Sequence, residues 1–417
     1  MSPLSSYRRL LALAGPAYVL VAFLGRLPLA MSQLGTLLLV STATGSYGAG
    51  GAAAGSLAVA NAVGSPVAAA VADRRGQRPV VLVQSLLGAV GLVVLVHLAA
   101  SGVGEAGLVA VAAVTGLALP QVGPLARVRW RPITAGDGHQ RRLVDAAFSY
   151  EGAADEASFV LGPALVGVVA VAVSPSGALV IAAAVLAVFG CAFGLHRTAA
   201  LTGASAAGGA VVRRSGRLVT GAFVVLLLAQ AAIGVLFGSS QTGATVLTTA
   251  AGQPGLAGLV HATLGIGSVT AGLATAFLPE RVPHERRWLV AAVALAVLSV
   301  PLLLVDTVAS AFLAVLLLGF AVAPYMIAVF TLGERIVPPA RVGAALTLLA
   351  AATGVGYALG SSLAGRLSDS HGHTAAFAVT VTTTCLAALL ALTQHRRVIR
   401  ARLAVADDVD APAVAAA

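Results

Sequence analysis

The sequence predicts an all-α membrane protein with twelve transmembrane helices in two pseudo-symmetric six-helix bundles. Three observations lead there. The composition is 59% hydrophobic and only 10% charged, which a water-exposed surface does not tolerate. The 417 residues divide into apolar runs of membrane-spanning length. The arginines between those runs fall almost entirely on alternate connections.

The apolar runs cover residues 13–39, 48–71, 80–100, 107–125, 144–171 and 177–195, then 219–238, 258–277, 288–304, 309–329, 344–363 and 375–392. A spanning helix needs roughly 20 mainly apolar residues. The runs are long, rich in Ala and Leu, and lack two-residue alternation, so they predict helices rather than the strands of a membrane barrel.

All 25 basic residues are Arg, and the chain has no Lys, a usage that reads as coding bias because nothing physical excludes Lys from loops. Twenty-three of the 25 occupy the termini and the even-numbered connections, leaving Arg26 and Arg366 elsewhere. Cytoplasmic loops collect basic residues. A missed or spurious span would reverse every later loop, so the pattern supports both the count and an orientation with both termini cytoplasmic in the cytoplasmic membrane. The net charge of +10 is spread over short loops rather than a stripe with interleaved aromatics, which argues against nucleic acid as a partner.

The longest interior connection follows six runs and contains Thr202-Gly203-Ala204-Ser205-Ala206-Ala207-Gly208-Gly209, a flexible composition. The expected organisation is a first half over 1–195, a cytoplasmic linker over 196–218, a second half over 219–395 and an unstructured tail over 396–417. Ser5 to Leu11 resembles a twin-arginine export signal. The apolar run continues past Arg26 without a cleavage site, so an uncleaved first span is the better reading. Cys191 and Cys385 sit inside apolar runs, not at metal-ligand or redox spacing. With no metal cluster, nucleotide loop or nucleophile constellation, neither an enzyme nor a cofactor is expected.

Two local patterns suggest duplication. Leu161-Gly162-Pro163-Ala164-Leu165-Val166-Gly167 in the fifth run and Leu359-Gly360-Ser361-Ser362-Leu363-Ala364-Gly365 in the eleventh both read L-G-x-x-L-x-G. Between the second and third runs stands Ala69-Ala70-Val71-Ala72-Asp73-Arg74-Arg75-Gly76-Gln77-Arg78. It resembles the G-x-x-x-D-R-x-G-R-R/K signature of the major facilitator superfamily. Asp73, Arg74, Gly76 and Arg78 match, while Ala69 replaces a Gly and Gln77 replaces an Arg. With the six-plus-six topology, the resemblance covers nearly the whole chain. It implies a conformational gate at Asp73, Arg74, Gly76 and Arg78; the other reading is a solvated loop held by its arginines. The equivalent loop of the second half, residues 279–287, keeps charge but lacks the Gly. The fifth run also resembles a degraded antiporter motif: Gly162-Pro163 and Gly167 match, while Ser149, Ser158 and Val166 stand where Gly would be. Gly162, Pro163, Gly167, Gly360 and Gly365 read as packing or bending positions.

An ionised group at the bilayer centre costs about 2.5 to 3.5 kcal/mol on insertion scales, so charges inside the runs carry most information. Arg26 lies in the middle of the first run, and Glu151, Asp155 and Glu156 lie in the fifth. Glu151 and Asp155 are one helical turn apart and share a face. The expectation is that Arg26 pairs with one or more of these acids, and that the excess acid exchanges a proton. The alternative is a fixed ionic clamp. Gln230, Gln241, His261 and Tyr325 are weaker cavity candidates, each equally readable as a helix-to-helix hydrogen bond. Arg366 with Asp369 reads as an exposed pair or an external gate.

The resemblance implies a secondary transporter working by alternating access as a monomer. The function expected is proton-coupled efflux of a small drug-like or metabolite solute. The alternatives are uptake of a sugar or organic acid, and a non-transporting receptor or assembly protein. Asn61 is the only asparagine, a scarcity that argues against sugars.

Overall fold

Prolines and glycines, more than charges, decide where the helices of this chain break. The computed structural model describes residues 3–202, 219–275, 281–338 and 341–414, with the side chains of Arg141, Asp145 and Glu156 and those at 3–4 and 405–414 outside that description. Every regular element among the described residues is helical. The chain forms two compact units, one of residues 1–210 with 253–262, the other of 211–252 with 263–417.

In the first unit, α1 (Pro3–Ala14) turns at Gly15, whose φ of 87° favours glycine, into α2 (Pro16–Leu24). A second break at Gly25-Arg26 leads to α3 (Leu27–Thr44). Pro28 has no N–H to give to the carbonyl of Leu24, so the ladder fails there. Together α2 and α3 make one apolar span. Next come α4 (Tyr47–Arg75) and α5 (Gln77–Ala100), separated by Gly76 alone at a φ of 85°.

The fourth span departs from expectation. It forms α6 (Glu105–Ala118), breaks, and resumes as α7 (Val122–Ile133), continuing past its expected end at 125. The residue before Pro120, Leu119, is pushed to extended backbone at ψ 123°. That frees the last carbonyls of α6, and Asn61 of α4 donates Nδ2 to the carbonyls of Gly116 and Leu119 at 3.1 and 2.8 Å. Gln121 Nε2 in turn donates to Asn61 Oδ1 at 2.7 Å. The lone asparagine thus holds a break in a neighbouring helix. The break places Arg127, Arg129 and Arg131 on α7, not in a loop.

The unit continues with α8 (Gln140–Ala172), α9 (Pro175–Val185), a π-helical turn over Leu186–Gly190, α10 (Cys191–Leu195) and a 3₁₀ turn over Arg197–Thr202. The remainder of the expected linker, 203–218, is outside the described residues. On α8, a Cβ at Gly162 would run into Ala30 and Met31 of α3, so this glycine permits the close approach of the fifth span to the first. Gly167, on the same helix, meets backbone at Gly255 to Leu259.

The second unit contains α11 (Gly221–Ala250), most of α12 (Leu256–Thr275), α13 (His284–Ser299) with a 3₁₀ continuation to Leu304, α14 (Val308–Arg335) and α15 (Val342–Val414). Gly372, at φ 70° and ψ −165°, divides α15 into two helices. Among the described residues, eleven helices are long and apolar enough to cross a membrane, and one of them, Ala344–Ala404, is 61 residues long. Divided at Gly372 it supplies two spans, which makes twelve. Here Gly360 of α15 meets Val235 of α11, while Gly234 and Gly238 of α11 meet the backbone of Thr353 and Tyr357. Gly162 and Gly360, the second residues of the two L-G-x-x-L-x-G segments, therefore do the same work in each unit. Gly365 is buried as well.

The tail expected to be unstructured is helical through Val414. Arg, Ala and Leu over 396–404 favour helix. Arg402 Nε also reaches Glu285 Oε1 at 2.5 Å, tying this extension to the first turn of α13.

Candidate functional site

The breaks in the first and fourth spans direct three side chains at one face of α8. Arg26 leaves the α2–α3 break and ion-pairs through Nη2 with Glu151 Oε2, and its Nε lies 3.1 Å from Asp155 Oδ1. From α7, Arg127 Nη2 donates to Asp155 Oδ2 at 2.6 Å. Trp130 Nε1 donates to Glu151 Oε1 at 2.5 Å. Both oxygens of each carboxylate are thereby engaged. The helical spacing explains the fit: Glu151 and Asp155 are four apart on α8, and Arg127 and Trp130 three apart on α7.

The two acids differ in access. Glu151 is fully buried, whereas the side chains of Asp155 and Arg127 are 28% and 32% exposed. Gly123 on α7 makes room for the outer acid, because a Cβ there would lie 2.5 Å from Asp155 Oδ1. Tyr150 faces Arg26 from α8. Tyr18 packs edge-on against Trp130 at 5.3 Å between ring centroids, and its hydroxyl donates to the carbonyl of Ala126 at 3.2 Å. Of the four expected residues, Glu151 and Asp155 meet Arg26; the side chain of Glu156 is outside the described residues. Among the described side chains, Arg127 balances Asp155 as Arg26 balances Glu151.

A second buried arginine was hidden by the same misplacement of α7. Arg129 is fully buried, so Arg26 is not the one basic residue deep in the protein. Arg129 donates Nε to Gln77 Oε1 at 2.8 Å and Nη1 to the carbonyl of Phe193 and the hydroxyl of Thr198 at 2.9 and 3.0 Å. Its guanidinium lies 3.6 Å from the centroid of the Phe193 ring. The Phe193 carbonyl belongs to the last turn of α10, where partial negative charge gathers. A helix end and a ring face thus compensate this cation. His196 stands nearby, and burial followed by Arg129 lowers its pKa below the usual imidazole value. The signals were Pro120 and Pro124 ahead of alternating Arg and Trp, and a Trp whose N–H needs an acceptor when buried.

The gate residues are distributed differently. Asp73, Arg74 and Arg78 are exposed, Gly76 makes the turn, and the buried polar member of the segment is Gln77. In the second unit Gln230 Nε2 donates to Thr353 Oγ1 at 2.9 Å, Tyr357 donates to Gln241 Oε1 at 2.7 Å, and Tyr325 donates to the carbonyl of Ala229 at 3.0 Å. His261 is buried on α12, and Arg366 and Asp369 are both exposed.

The sequence profile of the Major Facilitator Superfamily matches residues 15–346 and, in a second placement, 247–408. The chain belongs to the Major Facilitator Superfamily. No curated protein matches it. Among solved structures, the nucleoside transporter NupG (D323A mutant) is similar at 17% identity and a TM-score of 0.70, over 92% of this chain and 99% of that one. A POT family transporter in complex with a thioalcohol-conjugated peptide is similar at 12% identity and 0.67, over 91% and 96%. A D-xylose–proton symporter is similar at 17% and 0.59, over 90% and 96%. At these identities the likeness is one of fold. For a superfamily member, the departure at Gln77 has a local reason: an Arg at that buried position would face Arg129.

Proposed function

We propose that this superfamily member is a secondary active transporter that moves a small organic solute across the cytoplasmic membrane by alternating access, coupled to protons and working as a monomer. One observation carries the reading: a four-charge cluster contributed by the first, fourth and fifth spans, with one carboxylate buried and the other partly exposed. Intramembrane charges held this way mark ion and substrate pathways. The alternating arginines favour cytoplasmic termini. The similar structures are a nucleoside transporter, a POT family transporter in complex with a thioalcohol-conjugated peptide and a D-xylose–proton symporter, which supports a small organic solute without choosing one. The close approach of Gly162 to Ala30 gives that glycine a packing role. Direction then follows from whichever gradient drives the cycle.

To test the reading, metabolites of a deletion strain are compared with those of its parent to name the solute. Its uptake is then measured in proteoliposomes under an imposed pH gradient. Glu151→Gln, Asp155→Asn and Glu156→Gln are assayed singly. Accumulation should follow the gradient in wild type and lose its pH dependence in at least one variant; unchanged pH dependence in all three sinks the proposal.

A further inference from the structure

We infer that the second half of α15 carries a binding surface for the phosphate of an anionic phospholipid, formed by Arg396 and Arg400 where the helix leaves the bilayer. This goes beyond the transport reading and does not depend on it.

The helix sets the depth of the two arginines. Past Gly372 it runs on without a further break. One face is packed: Thr384, Ala387, Ala391 and Val398 are buried, the Thr384 hydroxyl pairs with that of Ser299 on α13 at 2.7 Å, and Arg402 reaches Glu285 on the same neighbour. α13 therefore holds this face from the membrane interior out to the extension. On the other side Leu386, Leu389 and Leu392 are exposed. Large apolar side chains left uncovered in an apolar span face lipid tails. By helical register the same face continues to Arg396, Arg400 and Leu403, and all three are exposed.

The apolar run over 375–392 is about 27 Å long at 1.5 Å per residue. That is close to the hydrocarbon thickness of roughly 30 Å and puts Leu392 at its edge. Arg396 then lies about 6 Å further out and Arg400 about 12 Å, while the headgroup layer is roughly 5 to 8 Å deep. Side chains on a helix tilt toward its N-terminus, which here is back toward the bilayer. Arg400 thus reaches the layer in which Arg396 stands.

Charge selects the partner. Among the described side chains neither arginine has an acidic partner, and Glu285, the acid that α15 does meet, is taken by Arg402 on the opposite face. Arg397 turns elsewhere: a Cβ at Gly221 would run into its guanidinium, so it lies over the first turn of α11, a positive helix end. Two unpaired cations beside that end make the local field positive. Arg396 and Arg400 are one turn apart, with Cβ atoms about 5 to 6 Å from each other, and guanidinium forks match phosphate oxygens. A zwitterionic headgroup adds its own ammonium to this field and gains less. Asp407, Asp408 and Asp410, whose side chains are outside the described residues, follow Arg400 by about 10 to 15 Å along the helix axis, farther from the bilayer.

The experiment places a tryptophan beside the site. Full-length Leu392→Trp is reconstituted in mixtures of phosphatidylglycerol and phosphatidylcholine in which one lipid is brominated. Emission from Trp130 and Trp288, measured in the parent protein, is subtracted, and the quenching gives the relative affinity of the two lipids. Phosphatidylglycerol should be preferred about fivefold, the worth of roughly one arginine at a membrane surface. With Arg396→Gln and Arg400→Gln added, the preference should disappear. Arg8→Gln with Arg75→Gln, an equal loss of exposed charge from the first unit, should leave it intact. If Leu392→Trp does not fold, Leu389→Trp on the same face takes its place. Equal affinity for the two lipids overturns the inference, and so does a preference that survives loss of Arg396 and Arg400 or falls equally in the Arg8 and Arg75 variant. A several-fold rise in Asp407→Asn with Asp408→Asn would show that those acids already occupy the arginines, and overturns it too. Displacement of phosphatidylglycerol by millimolar inorganic phosphate would assign the site to the free ion and overturn the lipid assignment.

Discussion

Gln77 Oε1 accepts a hydrogen bond from Arg129 Nε at 2.8 Å, and its Nε2 donates to the carbonyl of Leu125 at 3.2 Å. Both residues are buried. The amide therefore joins the turn between the second and third spans to α7 through a cation that has no carboxylate among its hydrogen-bond partners. Gln77→Ala should lower stability by about 1.5 to 3 kcal/mol, the usual worth of a hydrogen bond to a charged group. Gln77→Arg, which restores the superfamily's residue, should cost more, because two guanidinium groups would share one site without an acid. Gln77→Glu should at least match wild type. Thermal unfolding in detergent ranks the three, and a Gln77→Arg protein as stable as wild type would contradict this account.

Glu151 gives the second prediction. Removing one partner of a buried pair leaves the other charge uncompensated, at a cost of about 3 to 5 kcal/mol. Glu151→Gln should fall at the low end of that range, because Asp155 remains within reach of Arg26. Replacing both partners, as in Arg26→Met with Glu151→Met, should recover much of the loss. Tryptophan emission provides an independent readout, since the indole N–H of Trp130 loses its acceptor when Glu151 is changed to Met. Thermal unfolding of the single and double variants measures the coupling.

Much of this was legible in the sequence. Span count followed from alternating arginines, and the pairing of Arg26 with acids of the fifth span followed from the cost of a lone charge in an apolar run. What escaped was the fourth span. Arg127, Arg129 and Arg131 read as a loop because hydropathy averages over a window, whereas a helix can continue beyond its apolar stretch when its polar groups find partners. Those partners, Asp155, Gln77 and the Phe193 carbonyl, lie 28, 52 and 64 residues away in sequence. Asn61 escaped for the same reason: its part in holding the α6–α7 break depends on carbonyls from another helix.

The glycine contacts make a third prediction. A Cβ at Gly360 would enter the backbone of Val235, and one at Gly162 would meet Ala30. Overpacking of this kind costs about 1 to 3 kcal/mol per site. Gly360→Ala and Gly162→Ala should each lower the unfolding temperature. Gly104→Ala serves as a control, because nothing lies within 4 Å of a Cβ there and its φ of −63° suits any residue. Equal stability of all three variants would show that the glycines are not needed for close approach.

The N-terminal helix supplies a pH test. Asp137 accepts a hydrogen bond from the backbone N–H of His139 at 2.9 Å and from Arg9 Nε of α1 at 3.0 Å. These two donors, the backbone one first, hold its carboxyl below the usual range. A carboxyl whose pKa is lowered by folding stabilises the folded form above its unfolded pKa, and the contribution disappears as pH falls through the folded value. The pair is at the surface, so its effect is local and screened by salt. Amide hydrogen exchange over 3–14, corrected for the intrinsic pH dependence of exchange, should show protection that is steady near neutral pH and declines in acid below the ordinary carboxylate range. In Asp137→Asn that acid-dependent step should vanish and protection near neutral pH should drop. Retention of the step in Asp137→Asn would assign it to another group and detach α1 from this contact.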